Sequence, residues 1–182
     1  ILQGYWHFRK LTRAGNDLAL ACFERAIGLD PRSSEALSWL GFCYVSRWIY
    51  DFSEIDLRRG LDLAVSAIEH DPANPSGHIV HGFGHLWLGG LAVAAPSLER
   101  SILLNPGDPN VLSNLGLLAV YQGQLPEASR WLGQANKLNP IPMLWYAEFG
   151  AIQAFSEGRY AEAIPPLEAI PDGGWDMMYA LS

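Results

Sequence analysis

Basic residues are scarce in this sequence. Twelve lysines and arginines stand against 19 aspartates and glutamates, which gives a net charge of −7 at pH 7. A nucleic-acid-binding surface needs clustered cations to replace the counterions of the phosphates, so this balance argues against such a partner. Only two cysteines are present, Cys22 and Cys43, and they form no framework of spacings. We expect both to be small buried side chains in a reducing compartment, although a disulfide remains open at this stage.

Membrane and export signals are also missing. No uninterrupted apolar run is long enough to span a bilayer, and the N-terminus has no basic stretch followed by an apolar one. We therefore expect a cytoplasmic protein that does not contact a membrane. Hydrophobic residues nevertheless make up 49% of the 182 residues, which is ample for a continuous core.

Signatures of catalysis are absent as well. The sequence contains no glycine-rich phosphate-binding loop, no Gly-x-Ser-x-Gly elbow and no Cys-x-x-Cys pair. We interpret the chain as non-catalytic and expect no cofactor.

A pattern with a period of 34 residues occupies the middle of the chain. Pairs of identical residues at this spacing are Gly82 and Gly116, Gly89 and Gly123, Ala94 and Ala128, Leu98 and Leu132, and Asn105-Pro106 and Asn139-Pro140. One unit reads Leu112-x2-Leu115-Gly116-x2-Ala119, then Ala128-x3-Leu132, then Pro140. It closely resembles the tetratricopeptide repeat (TPR), a helix–turn–helix unit of this length.

The resemblance implies an all-α fold, a right-handed superhelix of antiparallel helix pairs in which stacked repeats bury one another. The expected units are a divergent repeat 1 (1–33), repeat 2 (34–74), repeat 3 (75–108), repeat 4 (109–142), repeat 5 (143–171) and the start of a further helix (172–182). In repeat 1 we expect a first helix over residues 5–11. Asn16 or Asp17 is the expected cap of the second helix.

Repeat 2 contains an insert. Its closing Pro72 lies 41 residues after Pro31, seven more than the period. We place the insert at the elbow between the two helices, around residues 48–52. The sequence Ser53-x-x-Asp56 predicts a cap, so the second helix should begin early and be about two turns longer than usual.

Three aromatic residues lie at this elbow: Trp48, Tyr50 and Phe52. They either fold back on the neighbouring repeat or extend a binding surface. We favour the first, because large aromatic side chains usually find cover.

Prolines interrupt several predicted helices. Pro96 and the pair Pro165-Pro166 fall inside second helices, where we expect a bend or a late helix start. Pro126 falls in the first turn of its helix and is tolerated there. The junction Asn139-Pro140-Ile141-Pro142 should be stiff and extended.

Three histidines, His78, His81 and His85, share one face of a predicted helix, and neighbouring imidazoles can chelate a metal. The repeat pattern instead places them in slots that face the second helix of their own unit. No Asp, Glu or Cys on that helix completes a ligand set. We therefore expect buried, hydrogen-bonded histidines, with metal binding as the alternative.

First helices line a concave groove in TPR proteins, where many members of the family bind extended peptides or helices. By resemblance, the groove residues are Trp39, Phe42, Ile79, Phe83, Trp87, Asn114, Leu117, Tyr121, Phe149 and Ile152. TPR proteins that hold the C-terminal carboxylate of chaperones use basic residues with asparagines in such slots. Here Asn110 and Asn114 are present but the basic residues are missing, so the groove is apolar and aromatic.

An apolar groove of this kind indicates a protein or peptide partner. Three alternatives stay open: a groove filled by the protein's own chain, a superhelix tight enough to bury it, or self-association with a second copy.

A further resemblance concerns the context of the repeats. The elbow insert, the Leu-Asn-Pro-x-Pro-x-x-Trp-Tyr junction that ends at Tyr146 and the Gly158-Arg159-Tyr160 turn resemble TPR regions of bacterial regulators. Such regions follow class III adenylate or guanylate cyclase domains or winged-helix transcriptional activator domains. The resemblance implies a regulatory piece of a larger protein, whose partner is a separate protein or a domain of the same parent.

Overall fold

The computed structural model describes residues 1–139 and 144–168. Within these residues the chain forms ten α-helices and no strand. In chain order they are α1 (Leu2–Phe8), α2 (Arg13–Leu29), α3 (Ser34–Asp51), α4 (Glu54–His70), α5 (Pro75–Trp87), α6 (Leu91–Leu104), α7 (Pro109–Tyr121), α8 (Leu125–Leu138), α9 (Leu144–Ser156) and α10 (Tyr160–Glu168). Consecutive helices pack together, and α3, α5, α7 and α9 also contact one another in turn. The predicted all-α solenoid is therefore confirmed.

Glycine allows the two helices of a repeat to approach closely. A Cβ atom on Gly82 would lie 2.7 Å from Cγ of Leu98, and one on Gly116 would lie 2.6 Å from Cγ of Leu132. Both distances are too short for a real carbon atom. Gly82 and Gly116 are therefore required by helix packing rather than by a ligand.

Side-chain caps mark the starts of five helices, α2, α3, α4, α5 and α7. The predicted cap Ser53 is confirmed, because its Oγ accepts a hydrogen bond from the amide of Asp56 at 3.2 Å. In repeat 1 the prediction was wrong: Thr12 caps α2, accepting from the amide of Gly15 at 3.0 Å. Asn16 is instead buried inside the helix, where its Nδ2 donates to the carbonyl of Cys43 at 3.1 Å.

The first helix also differs from the expectation. It spans Leu2–Phe8 rather than residues 5–11. Leu11 has a φ of 50°, which is incompatible with a continuing right-handed helix. The divergent sequence of this repeat hid the boundary, since His7 occupies the slot of the usual glycine.

The insert of repeat 2 lengthens both helices instead of the elbow. α3 has 18 residues against 13 in α5 and α7, and α4 has 17 against 14 in α6 and α8. The elbow is reduced to Phe52 and Ser53, and Phe52 takes the left-handed conformation that Gly89 and Gly123 take in the regular repeats. Most of the insert thus extends the first helix, because residues 45–51 contain no glycine or proline to end it. The expectation of two extra turns in the second helix was wrong.

The internal prolines do not delay their helices. α6 runs without a break from Leu91 to Leu104 with Pro96 inside it, and α10 contains Pro165 and Pro166. Of the two expected outcomes the late start is wrong, since Pro96 removes only the single bond to the carbonyl four residues back. The bend stays a prediction. Pro126 lies in the first turn of α8, as expected. The junction at 140–143 and the predicted further helix at 172–182 lie outside the described residues.

Candidate interaction surface

The first helices α3, α5, α7 and α9 form one surface of the solenoid, which we call the inner face. Five of the ten predicted groove residues are buried in it: Ile79, Phe83, Asn114, Leu117 and Phe149. Trp39, Phe42, Trp87 and Ile152 are half-buried, and Tyr121 is 41% exposed. The apolar side chains of the inner face thus cover one another, as in the alternative of a tight superhelix.

Contacts between aromatic rings connect the first helices across the inner face. The Phe42 ring stacks on that of Phe83 with centroids 5.5 Å apart, joining α3 to α5. Phe83 also lies 6.5 Å from Phe149, which joins α5 to α9 past α7. Trp87 packs edge-on against Phe83 at 5.7 Å. The rings belong to one core cluster and its border, so inner face and core are continuous.

A cavity of about 50 Å³ remains at the end of the inner face where the first helices begin. This volume admits a few water molecules or a small apolar group. The cavity is lined by Tyr5, Phe8, Ser38, Trp39, Phe42, Ser76, Ile79, Val80, Asp108, Asn110 and Trp145.

One side of the cavity comes from α1. The Tyr5 and Phe8 rings contact Trp39 with centroids 4.8 and 5.8 Å away. Trp39 is held from behind as well, since its Nε1 donates to Glu35 at 2.6 Å. Sequence reasoning missed Tyr5 and Phe8, because the slots of the repeat pattern could not be carried onto this divergent helix.

The two asparagines of α7 form hydrogen bonds within the protein. The Tyr146 hydroxyl donates to Oδ1 of Asn110 at 2.9 Å, and Nδ2 of Asn114 donates to the Asn110 carbonyl at 2.8 Å. Oδ1 of Asn114 is buried without a partner. The two asparagines thus stabilise the packing of the inner face, and Oδ1 of Asn114 is the one acceptor of the pair that has no donor.

Glu148 on α9 is the most unusual polar residue of the inner face. Its side chain is 0% exposed, and neither carboxyl oxygen has a hydrogen-bond partner. Burial raises the pKa of this carboxyl to about 8. Tyr121 on α7 lies close enough for the carboxyl to contribute, after burial, to a raised phenol pKa. Nε1 of Trp87 on α5 is a further buried polar atom without a partner.

The elbow aromatics divide between the two interpretations. Trp48 is half-buried and packs against the core. Phe52 is 52% exposed, with its ring 5.8 Å from that of Trp48. The side chain of Tyr50 lies outside the described part of the chain.

The three histidines are half-buried and have separate partners. Nε2 of His78 lies 3.0 Å from the Pro72 carbonyl, and Nδ1 of His81 lies 2.8 Å from Oγ of Ser97 on α6. The His81 and His85 rings meet edge-on at 4.6 Å. Among the described residues, no group of three or more His, Cys, Asp or Glu side chains is placed to hold a metal ion.

Both cysteines are free thiols, with Cys43 buried and Cys22 half-buried. Burial raises the pKa of Cys43 well above its usual range. None of the helices in the described ranges is long and apolar enough to cross a bilayer.

No protein-family model matches the sequence, and no curated protein matches it. Solved structures do match its fold. TTC0263, a thermophilic TPR protein of Thermus thermophilus, has a TM-score of 0.70 and 24% identity, covering 92% of this chain and 90% of that one. PilF of Pseudomonas aeruginosa has a TM-score of 0.60 and 19% identity, covering 95% and 75%.

YrrB, a TPR protein with an unusual peptide-binding site, has a TM-score of 0.51 and 22% identity, covering 91% of this chain and 81% of that one. These likenesses and the repeated helix pairs lead to one conclusion. The chain has the fold of TPR proteins, a right-handed α-solenoid of antiparallel helix pairs.

Proposed function

We propose that this chain is a protein–protein interaction module that binds a peptide segment of its partner on the inner face, with one partner side chain in the cavity. The observation that carries the proposal is the cavity between Trp39 and Trp145, with Ser76 and Asp108 also in its lining. Rigid aromatic rings give large contact area at low entropic cost, and polar groups beside them fix orientation.

The closed inner face fits this role. The buried residues Ile79 and Phe83 support the binding surface from beneath, while the half-buried Trp39, Phe42 and Trp145 provide the accessible area. YrrB has the same fold and a peptide-binding site, which supports a peptide as ligand.

The binding role suits a regulatory segment. In this proposal the chain is non-catalytic and acts within a bacterial regulator, where it binds either a separate protein or a domain of the same parent. Both kinds of partner present a segment to the same inner face.

The test is selection from a displayed library of random peptides with the whole chain as bait. Ser76→Phe places a ring at the cavity, and Ala92→Phe adds the same ring at an exposed position of α6. We expect peptides enriched by the wild type to bind Ser76→Phe at least about tenfold more weakly and Ala92→Phe equally well. Helical circular dichroism should be the same for all three. Failure to enrich any peptide, or equal binding by Ser76→Phe, contradicts the proposal.

A second candidate function is self-association. Large apolar side chains are exposed on α1, where Leu2 and Trp6 are 85% and 60% accessible, and on the last described helices, where Phe155 and Ile164 are 61% and 52% accessible. Exposed apolar patches mark interfaces. Light scattering should then give a mass above one chain that falls to the monomer for Trp6→Glu. A monomer at all concentrations excludes this candidate.

A further inference from the structure

Glu148 is a buried acid that packing does not require. Measured from the glycine slot of each repeat, its equivalents are Ser38, Ile79 and Ser113 in repeats 2, 3 and 4. Serine and isoleucine fill the same position elsewhere, and Ser38 and Ile79 line the cavity. Glu148 therefore belongs to a row of inner-face residues, and repeat 5 alone has an acid in it.

The acid has no compensating partner. Among the described residues, none of the ion pairs and none of the hydrogen bonds includes its side chain. An ionised carboxylate buried without a cation or donors is very costly, so the group is protonated instead, and a buried acid of this kind is a candidate functional residue.

Two further unpartnered polar atoms lie on the neighbouring first helices. They are Nε1 of Trp87 on α5, a donor, and Oδ1 of Asn114 on α7, an acceptor. Together with the two oxygens of Glu148 they make up four of the six such buried atoms in the described chain. The unmet hydrogen-bonding capacity is thus concentrated on the inner face of three successive repeats.

We propose that the inner face recognises a peptide segment carrying a lysine or arginine, whose cation pairs with Glu148 when α9 moves away from α5. This inference rests on the proposed function and adds the chemistry of its ligand. The cation supplies the charge that Glu148 lacks, and Trp87 and Asn114 offer a donor and an acceptor to polar atoms of the segment. The net charge of −7 favours encounter with basic segments.

Movement of α9 away from α5 would break one specific ring contact. Phe83 on α5 and Phe149 on α9 meet at 6.5 Å, and Phe149 is the chain neighbour of Glu148. Moving α9 away from α5 separates these two rings. In the closed state the raised pKa of about 8 keeps Glu148 protonated at pH 7. Burial alone accounts for this pKa, and Tyr121 on α7 is the titratable side chain that responds to the carboxyl in turn.

Pairing with a cation therefore requires Glu148 to ionise. The O–H bond of the carboxylic acid breaks and its proton passes to the buffer, while the ligand cation keeps all its protons. Binding near pH 7 should release about one proton per peptide.

The test uses pools of unstructured peptides of about nine residues with randomised apolar flanks and a fixed central residue. That residue is lysine, arginine or the uncharged norleucine. The proteins are the wild type, Glu148→Gln and the control Glu99→Gln, which changes an exposed acid on α6. We expect the wild type and Glu99→Gln to bind the lysine and arginine pools at least about tenfold more tightly than the norleucine pool. Glu148→Gln should bind all three pools equally.

Failure of this inference is distinguishable from failure of the proposed function. Wild-type binding without preference for a cation overturns the inference and leaves the proposed function standing. A preference that survives Glu148→Gln also overturns it, because the cation is then recognised elsewhere. Binding of no pool overturns the inference together with the peptide-binding function.

Calorimetry in buffers of different ionisation enthalpy provides an independent readout. About one proton should be released when the wild type binds the lysine pool near pH 7, and none when Glu148→Gln binds it. Binding by the wild type without proton release contradicts the inference.

Discussion

The two halves of the inner face are built differently. In the N-terminal half, formed by α3 and α5, the rings of Trp39, Phe42 and Phe83 stack in sequence. In the C-terminal half, formed by α7 and α9, Asn114 and Glu148 are buried with unpartnered oxygens. The first half contains one unpartnered polar atom, Nε1 of Trp87, whereas the second contains three unpartnered oxygens. Such groups reduce stability, which is a common property of binding sites.

The largest expected effect comes from breaking the N-terminal half. Phe83→Ala removes a ring that is 3% exposed and touches Phe42, Trp87 and Phe149. Loss of such a buried ring should lower the free energy of unfolding by about 3–5 kcal/mol, measured by urea denaturation. The control Phe155→Ala changes a ring that is 61% exposed and should cost less than about 1 kcal/mol. Similar costs for the two variants would mean that the stacked rings do not hold the inner face.

The next effect concerns the buried acid of the C-terminal half. The folded state binds the Glu148 proton more tightly than the unfolded state does, because its pKa is raised from 4.5 to about 8. Stability from the protonated form is fully present below pH 4.5 and is lost as the pH rises toward 8. Glu148→Gln should therefore gain stability relative to the wild type, by roughly 3 kcal/mol from pH 4.5 to pH 7.

Urea denaturation of both proteins across this pH range measures the difference. Glu99→Gln serves as the control and should follow the wild type. A constant difference between Glu148→Gln and the wild type would show that Glu148 is ionised in the folded protein.

Glycine substitutions compare a position at a helix–helix contact with an open position, one in each half of the inner face. Gly82→Ala brings a Cβ to 2.7 Å from Leu98 and should destabilise by about 1–3 kcal/mol. Gly150→Ala on α9 meets nothing within 4 Å and should stabilise by about 1 kcal/mol through helix propensity. Melting temperatures give the sign of each effect. Equal signs would contradict the contrast in packing.

The smallest effect is a change of stability with pH that comes from His81 in the N-terminal half. Its direction is opposite to that of Glu148, since this contribution is lost as the pH falls. Burial, together with His85 and His78, lowers the pKa of His81 below 6.5. Stability from neutral His81 is present above pH 6.5 and lost as the pH falls through the lowered pKa, because the unfolded state then binds more protons. His81→Gln should reduce this loss slightly in urea titrations between pH 5 and 7. If the free energy of unfolding falls equally toward pH 5 in His81→Gln and the wild type, His81 is not the responsible group.

The regular repeats could be predicted because their signals are local. The 34-residue spacing located the glycines against which Leu98 and Leu132 pack, and Ser53 marked the start of α4 by its own side chain. Where the repeat diverges, local signals compete. Thr12 and Asn16 are both good caps by residue type, and only the tertiary bond from Asn16 to Cys43 decides between them.

The state of the inner face could not be predicted in this way. Phe83 and Phe149 lie in different repeats and meet only because of the curvature of the solenoid. Curvature arises from many small packing contributions and has no sequence motif. The burial of Glu148 could not be predicted for the same reason, since acidic residues are normally expected to be exposed.

The most direct test of the central claim is an NMR titration of the whole chain with a peptide selected from the displayed library. The account predicts that the indole N–H resonances of Trp39 and Trp145 shift on binding, while backbone amides of the outer helices α4 and α6 do not. Shifts confined to α4 and α6, with both indoles unchanged, would contradict a partner-binding inner face.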